Sequence, residues 1–192
     1  MKIRNPEALA LFFVLVTAMT MPKATAQSSM KTAPPAPPNA AESNAHVVST
    51  FRFEVAAPMA RVAPLFAPEA ERSWAGEHWN PAFAYPQPGA DVQGAVWKIK
   101  HGPVDSVWVN TLFDVPGGRM QYVAVVGNHF AMTVDVLVTA LAEQRTAVEV
   151  TYARTALDPS ANQHVVELGD RDRESGPEWQ RSLETALGLP HK

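Results

Sequence analysis

The sequence predicts an α+β helix-grip fold: a curved antiparallel sheet wrapped around a long C-terminal helix, with two short helices after the first strand. Three observations lead there. A strand-like run from His46 is followed by a proline-broken, helix-like stretch. From Val92 to Leu157 the apolar residues recur every second position. After Pro177 the spacing becomes helical again. A sheet with one wet face has to bury the other, and the last helix is the long apolar partner the sequence offers.

The fold is expected to start well inside the chain. Lys2 and Arg4 precede a 14-residue apolar run from Ala8 to Met21, and Ala24 and Ala26 stand at the small-residue positions of a cleavage site. This is the pattern of a secretory signal peptide over residues 1 to 26, cut after Ala26, and the run is short for a membrane span of about 20 residues. The expected destination is the periplasm or the exterior, with no stable membrane insertion once the leader is removed. Residues 27 to 45, QSSMKTAPPAPPNAAESNA, are rich in proline and alanine and predict a disordered tether. A single domain is left over residues 46 to 190.

Composition narrows the function classes. The full chain has a formal net charge of −3, and loss of Lys2, Arg4, Lys23 and Glu7 with the leader makes it more acidic. With no basic run, a nucleic-acid partner is not expected, because that affinity comes from neutralised phosphates. The chain has 0 cysteines, so neither thiol chemistry nor a disulfide scaffold is available.

HVVSTFRFEV (46 to 55) alternates, with Phe51, Phe53 and Val55 on one face and Arg52 and Glu54 on the other. Pro58 suits a first helical turn, and Pro64 prevents a long helix, so two short pieces ending near Trp74 are expected. Five strand-like runs follow, at 92 to 101, 105 to 115, 119 to 127, 129 to 142 and 146 to 157, with Pro116-Gly117-Gly118 as a hairpin signal. In the last segment Trp179, Leu183 and Leu187 repeat at four-residue spacing, and Gly188 and Pro190 end the helix. The stretch before it, SANQHVVELGDRDRES, predicts only weak helix, with its charges on a solvated face.

The stretch LFAPEAERSWAGEHWNP (65 to 81) is expected to cover the open mouth of the curved sheet, where a ligand would sit. Its motif V-x-x-L-F-x-P-E-x-E-R-x-W from Val62, the Trp79-Asn80-Pro81 triplet, G-x-V-W at Gly94 to Trp97 and V-T-Y-x-x-T-A-L at Val150 to Leu157 resemble the SRPBCC superfamily, of START-like, polyketide cyclase/dehydrase and lipid-transport type. The resemblance spans about residues 47 to 187. It implies a hydrophobic ligand cavity, and in many members no established catalysis. Where relatives often read G-W-N-P, this chain has His78-Trp79-Asn80-Pro81.

The candidate ligand-binding residues are Phe66, Trp74, Trp79, Trp97, Asn110, Tyr122, Tyr152 and Trp179. Each aromatic side chain alone fits core packing; together, two on the cover and one on the opposite helix, they suit a lined pocket. Tyr122 and Tyr152 share the apolar face of their strands, and a buried phenol needs a partner, in the protein or in a ligand. Asn110 poses the same choice. Glu71 and Arg72 are expected to brace the cover through a salt bridge or cap. No cofactor is implied, and the six histidines show no metal-ligand spacing.

The leading expectation is a binding protein that encloses a small hydrophobic molecule such as a lipid or polyketide. The alternative is a cyclase/dehydratase-type enzyme moving protons with Tyr122, Tyr152, Asn110, His101 or His129, at least two of them converging in the pocket. A third reading, a protein-interaction module, would need a broad exposed apolar patch, which the polar outer strand faces disfavour.

Overall fold

The computed structural model describes residues 43 to 190. The predicted leader and the predicted tether up to residue 42 lie outside the described residues. Seven strands form a single sheet in the order β1-β7-β6-β5-β4-β3-β2. They are β1 (His46–Val55), β2 (Ala82–Tyr85), β3 (Val96–His101), β4 (Val104–Asp114), β5 (Arg119–Val126), β6 (Phe130–Ala142) and β7 (Arg145–Ala156). Every neighbouring pair is antiparallel. β2 to β7 follow one another as a meander, and β1 returns to pair with β7 over its full length, from His46 opposite Thr155 to Val55 opposite Thr146.

Alternation sets which face is buried. Phe51, Phe53 and Val55 on β1, Tyr122 and Ala124 on β5, Val134, Val136 and Val138 on β6, and Val148, Val150 and Tyr152 on β7 all lie in the core. Between β1 and β2 the chain forms α1 (Met59–Val62) and two 3-10 turns, Ala63–Phe66 and Ala70–Ser73. The helix-breaking prolines at 64 and 68 account for these short pieces.

β2 is a strand beyond the predicted set. It has four residues, lies between Pro81 and Pro86, and forms the far edge of the sheet against β3. Alternation over so short a run carries no periodic signal. β3 starts at Val96 instead of Val92, because Gly94 takes a positive φ of 81° and turns the chain before the strand.

The C-terminal region is also corrected. SANQHVVELGDRDRES is a full helix, α2 (Asn162–Glu174), which leads through Ser175 into α3 (Gly176–Ala186). Two end-to-end helices therefore cover the sheet, and α2 packs on β1 and β7. Their approach to β1 is close: a Cβ at Gly176 would sit 2.8 Å from the Arg52 carbonyl oxygen, and one at Gly169 would sit 2.5 Å from Val47 Cγ1.

The expected solvated charge run contains a buried acid. Asp172 on α2 accepts a 2.6 Å hydrogen bond from Ser49 Oγ on β1 and pairs with both terminal nitrogens of Arg154 on β7. The Arg154 guanidinium also sits 4.1 Å from the centre of the Tyr152 ring. A charge taken out of water is tolerated only when paired and hydrogen-bonded, so these contacts fix the rotation of α2 on the sheet. Asp172→Ala strands the Arg154 charge and is expected to lower the unfolding free energy by about 3–5 kcal/mol, measured by urea unfolding. Ser49→Ala, which leaves the ion pair intact, is expected to cost less, about 1.5–3 kcal/mol.

Candidate functional site

The covering segment is held by its own backbone carbonyls. In 3-10 and turn geometry many of these lack a helical partner and must find a donor elsewhere. Trp74 Nε1 donates to the Leu65 carbonyl at 2.7 Å, Trp79 Nε1 donates to the Pro68 carbonyl at 2.8 Å, and the Tyr122 hydroxyl of β5 donates to the Phe66 carbonyl. Arg72 donates to Glu69, Asn80 Oδ1 and the Pro81 carbonyl, tying the start of the segment to its end. Asp91 Oδ1 accepts from the Glu69 amide at 2.9 Å, so the loop before β3 also grips it.

The aromatic side chains then pack as one body. Trp179 of α3 meets Trp74 edge-on at 5.1 Å and Phe51 edge-on at 5.1 Å, and lies against Phe66. Trp79 meets Trp108 edge-on at 5.5 Å, and Trp108 stacks on Trp97. Inside this packing Glu71, Trp79, Trp108, Trp179, Tyr122, Tyr152, Val134 and Val136 surround a void of about 10 Å³. That is room for about one water molecule. The expected hydrophobic cavity is therefore narrow, closed down by its own aromatic lining. Trp79 also borders an open outer groove of about 430 Å³, shared with Arg72, Trp74 and Asn80, and so stands between the groove and the void.

Four of the eight sequence-predicted residues line the void: Trp79, Tyr122, Tyr152 and Trp179. Phe66 and Trp74 stand behind them, holding Trp179. Trp97 packs beneath Trp108 and Tyr122. Asn110 is fully buried, and its Nδ2 donates to the Val92 carbonyl at 3.2 Å while its backbone bonds Gly94 and Ala95. Its hydrogen bonds therefore shape the turn before β3. His129 lies in the β5–β6 connection away from the void, and the side chain of His101 is outside the described residues. Among the described residues no group of three or more His, Asp or Glu side chains is placed to hold a metal ion.

Four lining residues were not among the sequence candidates; Val134 and Val136 are ordinary inward positions of β6, which leaves Trp108 and Glu71. Trp108 carried only its strand position as a signal. Glu71 was expected in a salt bridge, but the ion pair belongs to Arg72 and Glu69. The Glu71 residue is 7% exposed, and its carboxyl has no hydrogen bond or ion pair among the described residues. Burial, reinforced by the nearby Asp91 carboxylate, pushes its pKa well above the usual carboxylate range. The Tyr152 hydroxyl likewise has no hydrogen-bond partner among the described residues, and burial first, then Asp172, raises its pKa. Tyr122 is raised by burial and then by Glu71. The site thus holds three groups whose raised pKa values favour their protonated forms inside an aromatic wall, with Tyr122 already donating to Phe66.

Known structures share this architecture. Norcoclaurine synthase from Thalictrum flavum, in complex with dopamine and hydroxybenzaldehyde, is 13% identical, matches 85% of this chain and all (100%) of its own, and superposes with a TM-score of 0.58. An uncharacterised protein from Rhizobium leguminosarum is 18% identical over 76% of this chain and 97% of its own, with a TM-score of 0.54. The di-domain ARO/CYC protein BexL of the BE-7585A biosynthetic pathway is 13% identical, covering 73% of this chain and 47% of its own, with a TM-score of 0.57. The chain has the helix-grip fold of these structures. No protein-family model and no curated protein matches it.

Two measurements probe the site without a ligand. The folded state keeps the Glu71 proton at pH values where the unfolded chain releases it. The folded state then binds more protons, so stability falls as pH rises from the ordinary carboxylate range towards the raised value. Glu71→Gln removes that slope, and its melting temperature is expected to exceed that of the wild type by a margin that widens as pH rises above the ordinary carboxylate range. Tyr122→Phe leaves the Phe66 carbonyl without its donor and is expected to cost about 1–3 kcal/mol. Amide exchange in residues 65 to 75 should quicken more than exchange in β6.

Proposed function

We propose that this chain is an exported binding protein that encloses a small, largely apolar, ring-containing molecule between the sheet, the 65–81 cover and α3. One observation carries it: the aromatic-walled void into which no protein partner reaches to satisfy the buried Glu71 carboxyl or the Tyr152 hydroxyl among the described residues. Buried polar groups of this kind take a hydrogen-bonding partner, a water in the closed void and a polar ligand atom once Trp79 has moved aside. The likeness to norcoclaurine synthase supports the ligand class, since that protein is complexed with two small aromatic molecules. The basic start, the apolar run to Met21 and the Ala24-x-Ala26 site support export to the periplasm or the exterior. With the void as small as it is, entry requires Trp79 to swing towards the outer groove.

Native mass spectrometry of the chain expressed with its leader and purified without detergent tests this proposal. A discrete excess mass that vanishes on denaturation is expected. A clean apo mass, together with no quenching of tryptophan fluorescence by naphthalene-sized probes, would count decisively against it. Trp79→Ala is expected to speed probe association by about tenfold or more, as removal of a gate should.

A second function is favoured by the same carboxyl. A neutral acid beside a polar ligand can donate a proton, so a cyclase/dehydratase-type reaction would use Glu71 as general acid, with Tyr122 and Tyr152 in the pocket as that alternative requires. Structural likeness to an ARO/CYC protein agrees with it. Turnover of a bound ligand that stops in Glu71→Gln while binding persists would establish the enzyme over the carrier.

A further inference from the structure

We infer that the loop 76–80 is a pH-gated latch: it holds Trp79 over the void while Glu71 is protonated, and swings into the outer groove when Glu71 becomes charged. The inference builds on the gate position given to Trp79 above, and it applies whether or not a ligand is bound.

Trp79 is the wall shared by two spaces. Inside, it closes the void of about 10 Å³ together with Glu71, Tyr122 and Tyr152. Outside, it borders the groove of about 430 Å³. The loop that carries it is built to turn as one piece. Gly76 takes a positive φ of 88°, Trp79 N donates to the Gly76 carbonyl at 3.0 Å, and Asn80 N donates to the His78 carbonyl at 3.1 Å. Arg72 ties the far end of the loop at Asn80 and Pro81, so Gly76 is where rotation is least hindered. Towards the interior, Trp79 Nε1 donates to the Pro68 carbonyl and the ring meets Trp108 edge-on. The first half of the cover is anchored separately, by Trp74 on Leu65 and by Tyr122 on Phe66. Trp79 can therefore leave while that half stays seated.

Charge at Glu71 supplies the drive. The residue is 7% exposed, and its carboxyl has no hydrogen bond or ion pair among the described residues. The groups around it offer no cation. β4 supplies Trp108, β5 Tyr122, β6 Val134 and Val136, β7 Tyr152 and α3 Trp179. Asp91, from the loop before β3, is a like charge. Arg72, on its own turn, is engaged by Glu69, and behind Tyr152 the Arg154 and Asp172 charges pair with each other. Glu77 and His78 share the loop but are exposed and do not line the void. An ionised carboxyl in this place is costly. With Trp79 aside, the void joins the groove and water reaches the carboxyl. The closed latch therefore binds the Glu71 proton more tightly than the open one, in keeping with the raised pKa. By linkage, the open population rises by up to about tenfold per pH unit above the ordinary carboxylate range, until Glu71 is ionised in the closed state as well.

The test follows the tryptophan indole N–H protons of the full chain by NMR, assigned with Trp79→Phe and Trp74→Phe. Exchange with deuterium is measured from the ordinary carboxylate range upwards and divided by the intrinsic rate at each pH. Protection of the Trp79 proton is expected to fall by up to about tenfold per pH unit. The Trp74 proton, bonded to Leu65, should exchange more slowly at every pH, because its release needs the whole cover to come away. Glu71→Gln, uncharged at every pH, should keep Trp79 protected with no such fall. Asp91→Asn removes the like charge, so the fall should level off at a lower pH. Wild-type protection of Trp79 that is flat with pH would overturn the latch. A fall that persists in Glu71→Gln would also overturn it, by assigning the titration to another group such as His78. Exchange of the Trp74 and Trp79 protons at one common rate would overturn it by making the opening global. The bound-mass experiment above tests the carrier function separately, so failure of the latch leaves that function standing.

Discussion

The site depends on three carbonyl oxygens. Prolines break the stretch after β1 into pieces too short to satisfy their own backbone, so Leu65, Phe66 and Pro68 turn their carbonyls to side-chain donors. Those donors are Trp74, Tyr122 and Trp79. Directed hydrogen bonds thereby orient aromatic rings that packing alone would leave freer to turn. An indole or phenol held at one end by such a bond presents its flat apolar body to the interior, and with Trp108 and Trp179 alongside, these rings make a wall.

The same bonds explain why Glu71 is buried. Its turn is clamped between Asp91 on one side and the Arg72 ties to Asn80 and Pro81 on the other, which turns the intervening side chain inward, towards Tyr122 of β5 and Tyr152 of β7. Burial of a carboxyl in that position disfavours its charged form and raises its pKa. Protonation lowers the cost of burying it, and the protonated carboxyl is a hydrogen-bond donor within an apolar surface. A second buried acid in the domain behaves differently. Asp172 meets Arg154 and Ser49 and remains an ion pair that seats α2 on the sheet. Two acids at similar depth thus have different surroundings, because only Asp172 has a cation beside it.

Much of the architecture was legible in the sequence. Five strand-like runs of clear alternation, a hairpin at Pro116-Gly117-Gly118 and the apolar ladder of Trp179 and Leu183 all report local geometry, and all hold in the structure. Features without a period were not legible. β2 is too short to alternate, and α2 hides its buried stripe of Val165, Leu168 and Asp172 among charges. Within the site, aromatic residues drew notice because such side chains are buried on their own account. Four of them do face the void, but Asn110 is engaged by a turn and Trp97 lies a layer deeper.

By itself the amino-acid sequence determined the fold class, since strand and helix periods are written in neighbouring residues. It also determined that the cover would be short, broken and aromatic, because proline acts on its own segment. Only the tertiary structure decided the chemistry of the site. Glu71 reads in sequence as one more charge in the Glu69-x-Glu71-Arg72 run, with Arg72 as its natural partner. Its raised pKa arises from burial beside Tyr122 and Tyr152, and then from Asp91, none of them local to its own turn. Desolvation is a property of the surroundings, and the surroundings exist only once the sheet has curled and the cover has closed on it.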